Sequence, residues 1–193
     1  RVLFRSDITL EGPFSNNFSG SYLVNYRYSS LALLDQMDIV DFEGVPKYQD
    51  ASYKVFLPTE KAGMFSLFGL GGLSNISQAY VSEETEETMG TVAMDADLGV
   101  AGLKHIYPIS KNTYLKNSVT YSATRSNTSY RMKRNEDEWY DWSDDSFIYS
   151  SIQMSSTLNS KLNAQHMIKI GVNYSNKGYD LFSQNDFTGK GTM

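Results

Sequence analysis

The segment Ser21–Ser29, with the sequence SYLVNYRYS, decides the fold because its side chains alternate between two chemical kinds. One set of alternate positions is aromatic or aliphatic and consists of Tyr22, Val24, Tyr26 and Tyr28. The other set is more polar and consists of Ser21, Leu23, Asn25 and Arg27. Alternation at period two is typical of a β-strand whose two faces meet different surroundings, so a strand is predicted here.

Alternation of the same kind recurs along the chain and predicts about eight strands, many of them about ten residues long. The other segments are Val2–Leu10, Tyr48–Leu57, Phe65–Leu73, Val92–Val100, Leu115–Thr124, Ile148–Leu158 and Ile168–Tyr174. Helical periodicity is weak everywhere except Ser30–Ile39, which is compatible with a short helix.

The connections between these segments alternate between short and long. The short ones are Gly12–Ser19, Pro58–Gly63, Pro108–Asn112 and Asn159–Gln165. The long ones are Ser29–Pro46, Asn75–Gly90 and Arg131–Asp145, which also hold most of the acidic residues. Strands that follow one another directly usually pair. We therefore predict an all-β fold, an antiparallel up-and-down meander of about eight strands in a single segment, 1–193.

The composition excludes several classes of protein. The 193 residues carry 17 Lys and Arg against 22 Asp and Glu, a net charge of −5, which argues against a nucleic-acid partner. There is no cysteine, so disulfides and thiolate metal sites are excluded. The two histidines, His105 and His166, offer little for a metal centre. No apolar run is long enough for a transmembrane helix, and the first residues show no signal peptide.

Alternation alone does not say whether the apolar face meets a protein core or lipid, but three features favour an outer-membrane β-barrel. Short turns at one end with long loops at the other are typical of such barrels. Tilted membrane strands need ~9–11 residues, more than most strands of globular proteins. Aromatic residues near the strand ends suggest an interfacial girdle, namely Phe14, Phe18, Tyr22, Phe56, Phe65, Tyr107 and Tyr114.

In a barrel of this kind the polar positions face the lumen. The charged residues predicted there are Arg5, Asp7, Arg27, Asp50, Lys54, Asp95, Asp97, Lys116 and Lys169. We predict no catalytic site, no metal site and no cofactor, because Asp95 and Asp97, two carboxylates on one face of a predicted strand, are better explained as solvated lumen residues.

The long loop Arg131–Asp145 is the best candidate for ligand binding. It contains both tryptophans of the chain, beside a tyrosine and several aspartates. Exposed aromatic rings on a long loop can stack on a sugar ring or a flat chelate. The candidate ligand-binding residues are Trp139, Tyr140, Asp141, Trp142 and Asp144.

Several local sequences resemble TonB-dependent receptors of the Bacteroidota type. The matching stretches are LEGPF at 10–14, GSYLVNYRYS at 20–29, LPT at 57–59, FSLFGLGGLS at 65–74 and YPISKNTY at 107–114. The resemblance extends to about Tyr130. It implies a large outer-membrane barrel that imports a scarce nutrient such as a siderophore, a cobalamin or a glycan. It also implies an N-terminal plug domain and the energy-coupling partner TonB.

The chain departs from that family because it contains no plug domain, no TonB box and too few strands for a whole receptor barrel. We therefore expect a fragment, about the first third of the barrel. Two alternatives stay open. One is a self-contained eight-stranded outer-membrane barrel with a structural or adhesion role, and the other is a soluble β-protein that binds a ligand in an apolar core.

Overall fold

The computed structural model describes residues 5–29, 46–82, 87–135 and 138–186, which form one β-sheet. Its strands are β1 (Arg5–Ser15), β2 (Phe18–Ser29), β3 (Lys47–Thr59), β4 (Gly63–Val81), β5 (Thr88–Ser110), β6 (Thr113–Asn135), β7 (Glu138–Lys161) and β8 (Met167–Asn185). Each strand pairs antiparallel with its neighbours in the chain, so the order across the sheet is β1 to β8. The predicted all-β, eight-stranded antiparallel meander is confirmed.

The sheet is open rather than closed. In the described part of the chain, β1 and β8 form its two edges and do not pair with each other. All residues of β8 from Met167 to Asn185 are exposed. Each outer edge therefore presents a row of backbone N–H and C=O groups that can accept a further strand.

Tight turns join the strands at one end of the sheet. In the turn between β3 and β4, the Ala62 N–H donates to Thr59 Oγ1 at 3.0 Å, and the Thr59 hydroxyl donates to the Gly63 carbonyl at 2.7 Å. Gly63 has φ of 84°, a conformation that side chains other than glycine rarely adopt. In the β7–β8 turn, Asn163 Oδ1 accepts from the N–H groups of Gln165 and His166, which is an Asx-type turn.

Two of the predicted long loops are mostly strand, so the predicted bounds were wrong. β4 runs to Val81 and β5 begins at Thr88, which leaves little of the loop Asn75–Gly90. β6 runs to Asn135 and β7 begins at Glu138, inside the predicted loop Arg131–Asp145. The helix predicted at Ser30–Ile39 lies outside the described residues.

The sheet is a single layer without an apolar core. Every buried residue among those described is a glycine, a serine or an asparagine, namely Gly20, Ser29, Gly63, Gly69, Gly90, Gly102, Ser143, Ser151 and Asn159. Large apolar side chains are exposed on every strand, from Ile8 on β1 to Leu181 on β8. Soluble domains place such side chains in a core between packed layers, so this sheet needs another apolar surrounding.

Candidate functional site

The register of the sheet separates two faces of different chemistry, because directly opposed residues point to the same side and successive residues to opposite sides. One row of opposed residues is Gly12, Tyr22, Val55, Leu67, Leu103, Val119, Met154 and Tyr174. A neighbouring row on the other side is Glu11, Leu23, Lys54, Phe68, Gly102, Thr120, Gln153 and Ser175. The sides that carry these rows are called the apolar face and the polar face below.

The apolar side chains of the apolar face form a band that covers only part of the length of the strands. On β6 this apolar band runs from Leu115 to Ala123 and includes Val119 and Tyr121. That span of nine residues lies within the ~9–11 that a tilted strand needs to cross a bilayer. Towards the hairpins β4–β5 and β6–β7 the same face gains charged residues, with Asp97, Arg125 and Asp180 in one row beside Leu73 and Ile148.

Two of the polar side chains inside the band have close partners. Ser156 donates its hydroxyl to Asn117 Oδ1 at 2.8 Å. His105 Nε2 lies 2.7 Å from the Ala62 carbonyl, and its ring stacks on Phe65 at 4.3 Å. A polar side chain that faces hydrocarbon is costly unless it is hydrogen-bonded, so these pairs suit a lipid-facing surface.

Aromatic residues gather near the tight turns, as the sequence predicted, but they divide between the two faces. Phe14 contacts both Phe18 and Tyr22, with ring centroids 6.4 and 5.5 Å apart. Tyr107 lies beside His105 at the end of β5, 6.1 Å between ring centroids. The register places Phe56 and Tyr114 on the polar face instead, so the predicted girdle contains fewer members than expected.

The charged residues predicted for the lumen also divide between the faces. The register places Asp7, Arg27, Asp50, Lys54, Lys116 and Lys169 on the polar face. Asp95 and Asp97 lie on the apolar face, beyond its apolar band. Arg5 is the first residue of β1 and pairs with Ser29.

Ion pairs and hydrogen bonds link several of these charges across strands. On the polar face, Arg27 Nε donates to Asp50 Oδ2 at 2.7 Å. On the apolar face, Asn75 Nδ2 donates to Asp95 Oδ1 at 2.6 Å. Arg125 makes an ion pair with Asp97 on the same face. Asp95 and Asp97 are therefore each engaged by a different neighbour and do not form a pair of acids around one site.

The predicted ligand-binding residues lie on β7 at the end of the β6–β7 hairpin, which is distant from the tight turns. Trp142 interrupts the register as a bulge, between the pairs Tyr130–Ser143 and Arg131–Asp141. The Trp142 ring packs edge-on against Tyr130, with centroids 5.7 Å apart. Bulges commonly redirect a side chain, and here one brings Trp142 to the side of Tyr130.

A second set of contacts holds the tip of this hairpin. The Arg134 guanidinium lies over the Tyr140 ring at 5.2 Å and bonds Glu138 at 2.9 Å. Arg131 Nε lies 3.2 Å from Asp141 Oδ1. The predicted set missed Tyr130, Arg131 and Arg134, which become neighbours of Trp142, Asp141 and Tyr140 only when β6 and β7 pair.

The five predicted ligand-binding residues do not form one surface. Tyr140 and Trp142 share the polar side with Tyr130, whereas Trp139, Asp141 and Asp144 point to the other side. Trp139 and Trp142 are 37 % and 36 % exposed, so both rings remain partly accessible. The polar-side pair, Tyr140 with Trp142, is the better candidate for stacking on a ligand.

Residues 5–29, 46–82, 87–135 and 138–186 contain no cluster of metal-ligating side chains and no apolar helix of membrane-spanning length. No group of three or more His, Asp or Glu side chains in these ranges could hold a metal ion. The same ranges contain no helix with the length and apolar character needed to cross a membrane.

Comparisons of the chain with protein-family models, with curated proteins and with solved structures found no match. The functional conclusion therefore depends on the sequence and on the two faces of the sheet.

Proposed function

We propose that this chain is a segment of a transmembrane β-barrel in the bacterial outer membrane, and that the barrel belongs to a nutrient receptor of the TonB-dependent type. The observation that carries the proposal is the single-layer sheet with an apolar band on one face, a polar opposite face and no buried large apolar side chain among the described residues. Lipid supplies the apolar surrounding that this sheet lacks, because barrel strands alternate between lipid and lumen.

The two ends of the sheet support one orientation. The β5–β6 turn at Lys111–Asn112 is tight, whereas β6 and β7 continue well beyond the apolar band before they turn. Outer-membrane barrels have short periplasmic turns and longer extracellular connections. The proposed orientation therefore places Tyr140 and Trp142 outside the cell, where an arriving ligand would first contact the barrel.

The partners follow from the family resemblance. A receptor of this type takes up a small nutrient of the siderophore, cobalamin or glycan class, and outer-membrane lipid surrounds its barrel. TonB would act through a plug domain encoded elsewhere than in this chain. An enzymatic role and a nucleic-acid partner are not part of the proposal.

A self-contained eight-stranded barrel is the second candidate, and the number of strands in the sheet favours it. The interior of such a small barrel is just wide enough to be filled by side chains. Two observations favour the larger receptor instead. The strands β1 and β8 do not pair in the described sheet, and Lys116 and Lys169 have no charged partner within the described residues.

Cysteine labelling tests the membrane assignment, because the chain has no cysteine of its own. Val119→Cys lies on the apolar face, and Thr120→Cys lies beside it on the polar face. In intact outer membranes we expect a water-soluble maleimide to modify position 120 but not 119, and a lipid-soluble reagent to modify 119. Equal labelling of both positions by the water-soluble reagent would remove the membrane proposal.

Growth on single nutrients tests the receptor assignment. A strain without the protein should lose growth on one iron chelate, cobalamin or glycan, and the gene should restore growth only when TonB is present. Unimpaired growth on the whole panel would favour the self-contained barrel. The labelling result would stand in either case, so the two parts of the proposal are tested separately.

A further inference from the structure

The polar face carries a basic region near the tight turns of β5 to β8. Its residues come from alternate positions of 102–108, 114–120, 153–159 and 169–175, and its charged members are Lys104, Lys116 and Lys169. Within these described positions no aspartate or glutamate occurs on that face. The remaining side chains are mostly hydroxyls and amides, so the region combines positive charge with many hydrogen-bond donors.

A cleft of about 460 Å³ lies in this region. The residues that line it include Tyr114, Lys116, Thr157, Asn159, Lys169 and Asn173. Lys116 is opposed to Thr157, and Thr157 is opposed to Gly171, so these three residues lie level with one another across β6, β7 and β8. The Thr157 hydroxyl lies close above Gly171, where an added Cβ would meet Thr157 Oγ1 at 2.8 Å, so the glycine leaves room for this hydroxyl beside the cleft.

The register sets the distance between the two lysines. They lie on β6 and β8, separated by β7, so their strands are about 10 Å apart. Lys169 is two residues along β8 from Gly171, which lies level with Lys116. Long, flexible lysine side chains can converge on one group from such positions, with Thr157 and Asn159 between them.

Neither lysine is neutralised by its surroundings. The described residues provide no ion pair or hydrogen bond to Lys116 or Lys169, although Arg27, Arg125, Arg131 and Arg134 all have acidic partners. Two unpaired ammonium groups beside a cleft without acids create a positive potential that attracts an anion.

We propose that this cleft binds a phosphate group, either as the free ion or as part of a small soluble phosphate ester. A phosphate offers several acceptor oxygens, and each lysine ammonium offers three donors. The hydroxyl of Thr157 and the amides of Asn159 and Asn173 complete the donor set around the cleft. This inference goes beyond the proposed function, since it names an anion site that depends on the polar face alone.

Calorimetric titration tests the proposal with the protein as cells produce it, isolated in detergent micelles. The probes are inorganic phosphate, glucose 6-phosphate and, as a neutral reference, glucose. The variants are Lys116→Gln, Lys169→Gln and their combination. Lys177→Gln is the matched control, because Lys177 lies on the same strand and face as Lys169, eight residues away. Circular dichroism verifies that every variant keeps its β-structure.

We expect inorganic phosphate to bind equally tightly to the unmodified protein and to the Lys177→Gln control. Its affinity for Lys116→Gln and for Lys169→Gln should be at least fivefold lower. Added salt should weaken the binding, because the attraction is electrostatic. Binding of glucose 6-phosphate as well would extend the site to phosphate esters, whereas binding of phosphate alone assigns it to the free ion. Absence of phosphate binding, or equal binding by the double variant, would overturn the proposal. Neither result affects the labelling test of the membrane assignment.

Discussion

Arg125 on β6 donates from Nε to Asp97 on β5 at 2.9 Å, on the face that carries Leu103 and Val119. The two charges lie directly opposite each other, just beyond the apolar band. A charge pair in this position is suited to the interface between the hydrocarbon of a membrane and the lipid headgroups. The pair therefore indicates where the proposed membrane ends on this side of the sheet.

A double-mutant cycle on this pair should give a small coupling. We expect Asp97→Asn and Arg125→Gln to couple by ~0.2–1 kcal/mol in the free energy of unfolding, because exposed ion pairs are screened by water. Denaturant titration of the protein in lipid vesicles measures it, with the cycle repeated at high salt. A coupling of several kcal/mol that salt does not reduce would mean that the pair lies inside the hydrocarbon.

Charge insertion should distinguish the two faces. Val119→Arg should lower the free energy of unfolding in vesicles by ~2–4 kcal/mol, since an arginine would then face the middle of the hydrocarbon. Thr120→Arg is the matched control on the polar face and should cost much less. Similar losses for both variants would contradict a lipid-facing band.

Alanine at Gly63 should destabilise the turn between β3 and β4. The residue has φ of 84°, and an added Cβ would lie 2.3 Å from the Ile106 carbonyl oxygen. We expect a loss of about 1–3 kcal/mol in the free energy of unfolding. Gly99→Ala is the control, because an added Cβ there meets nothing within 4 Å. It should be neutral or slightly stabilising, since alanine suits a strand better than glycine.

The two tryptophans should differ in their effect on uptake of the nutrient identified by the growth screen. Trp142→Ala removes a ring on the polar side beside Tyr130, and we expect uptake about two- to tenfold slower, as for loss of an aromatic contact of ~0.5–1.5 kcal/mol. Trp139→Ala removes a ring on the other side and should have a smaller effect. A larger loss for Trp139→Ala would move the proposed contact surface to the opposite face of the hairpin.

The sequence predicts the strands and their order well wherever the two faces of a strand differ in side-chain chemistry. Tyr22, Val24 and Tyr26 alternate with a set of residues that is more polar on average, and the structure places them in one paired strand as predicted. The ends of the hairpins β4–β5 and β6–β7 were harder to predict, because both faces of their strands carry polar residues there. Residues such as Ser77, Gln78 and Ser129 therefore show no alternation, although all three lie in paired strands.

The sequence also did not reveal on which face of the sheet Asp95 and Asp97 lie. In β5 the apolar residues Met94 and Leu98 lie on the polar face, whereas Leu103 lies on the apolar face. The alternation in this strand changes side near Gly99, as the strand leaves the apolar band. Only the register with β4 and β6 reveals that change, just as only the pairing of β6 with β7 brings Tyr130 to Trp142.

The pairing of each strand with its chain neighbours has a consequence for how such a sheet can change in evolution. Loss of two successive strands leaves the next strand running in the same direction, so every later tight turn stays at the same end. Loss of one strand would invert all that follow and move those turns to the opposite end. The unit in which this sheet can gain or lose length is therefore the hairpin.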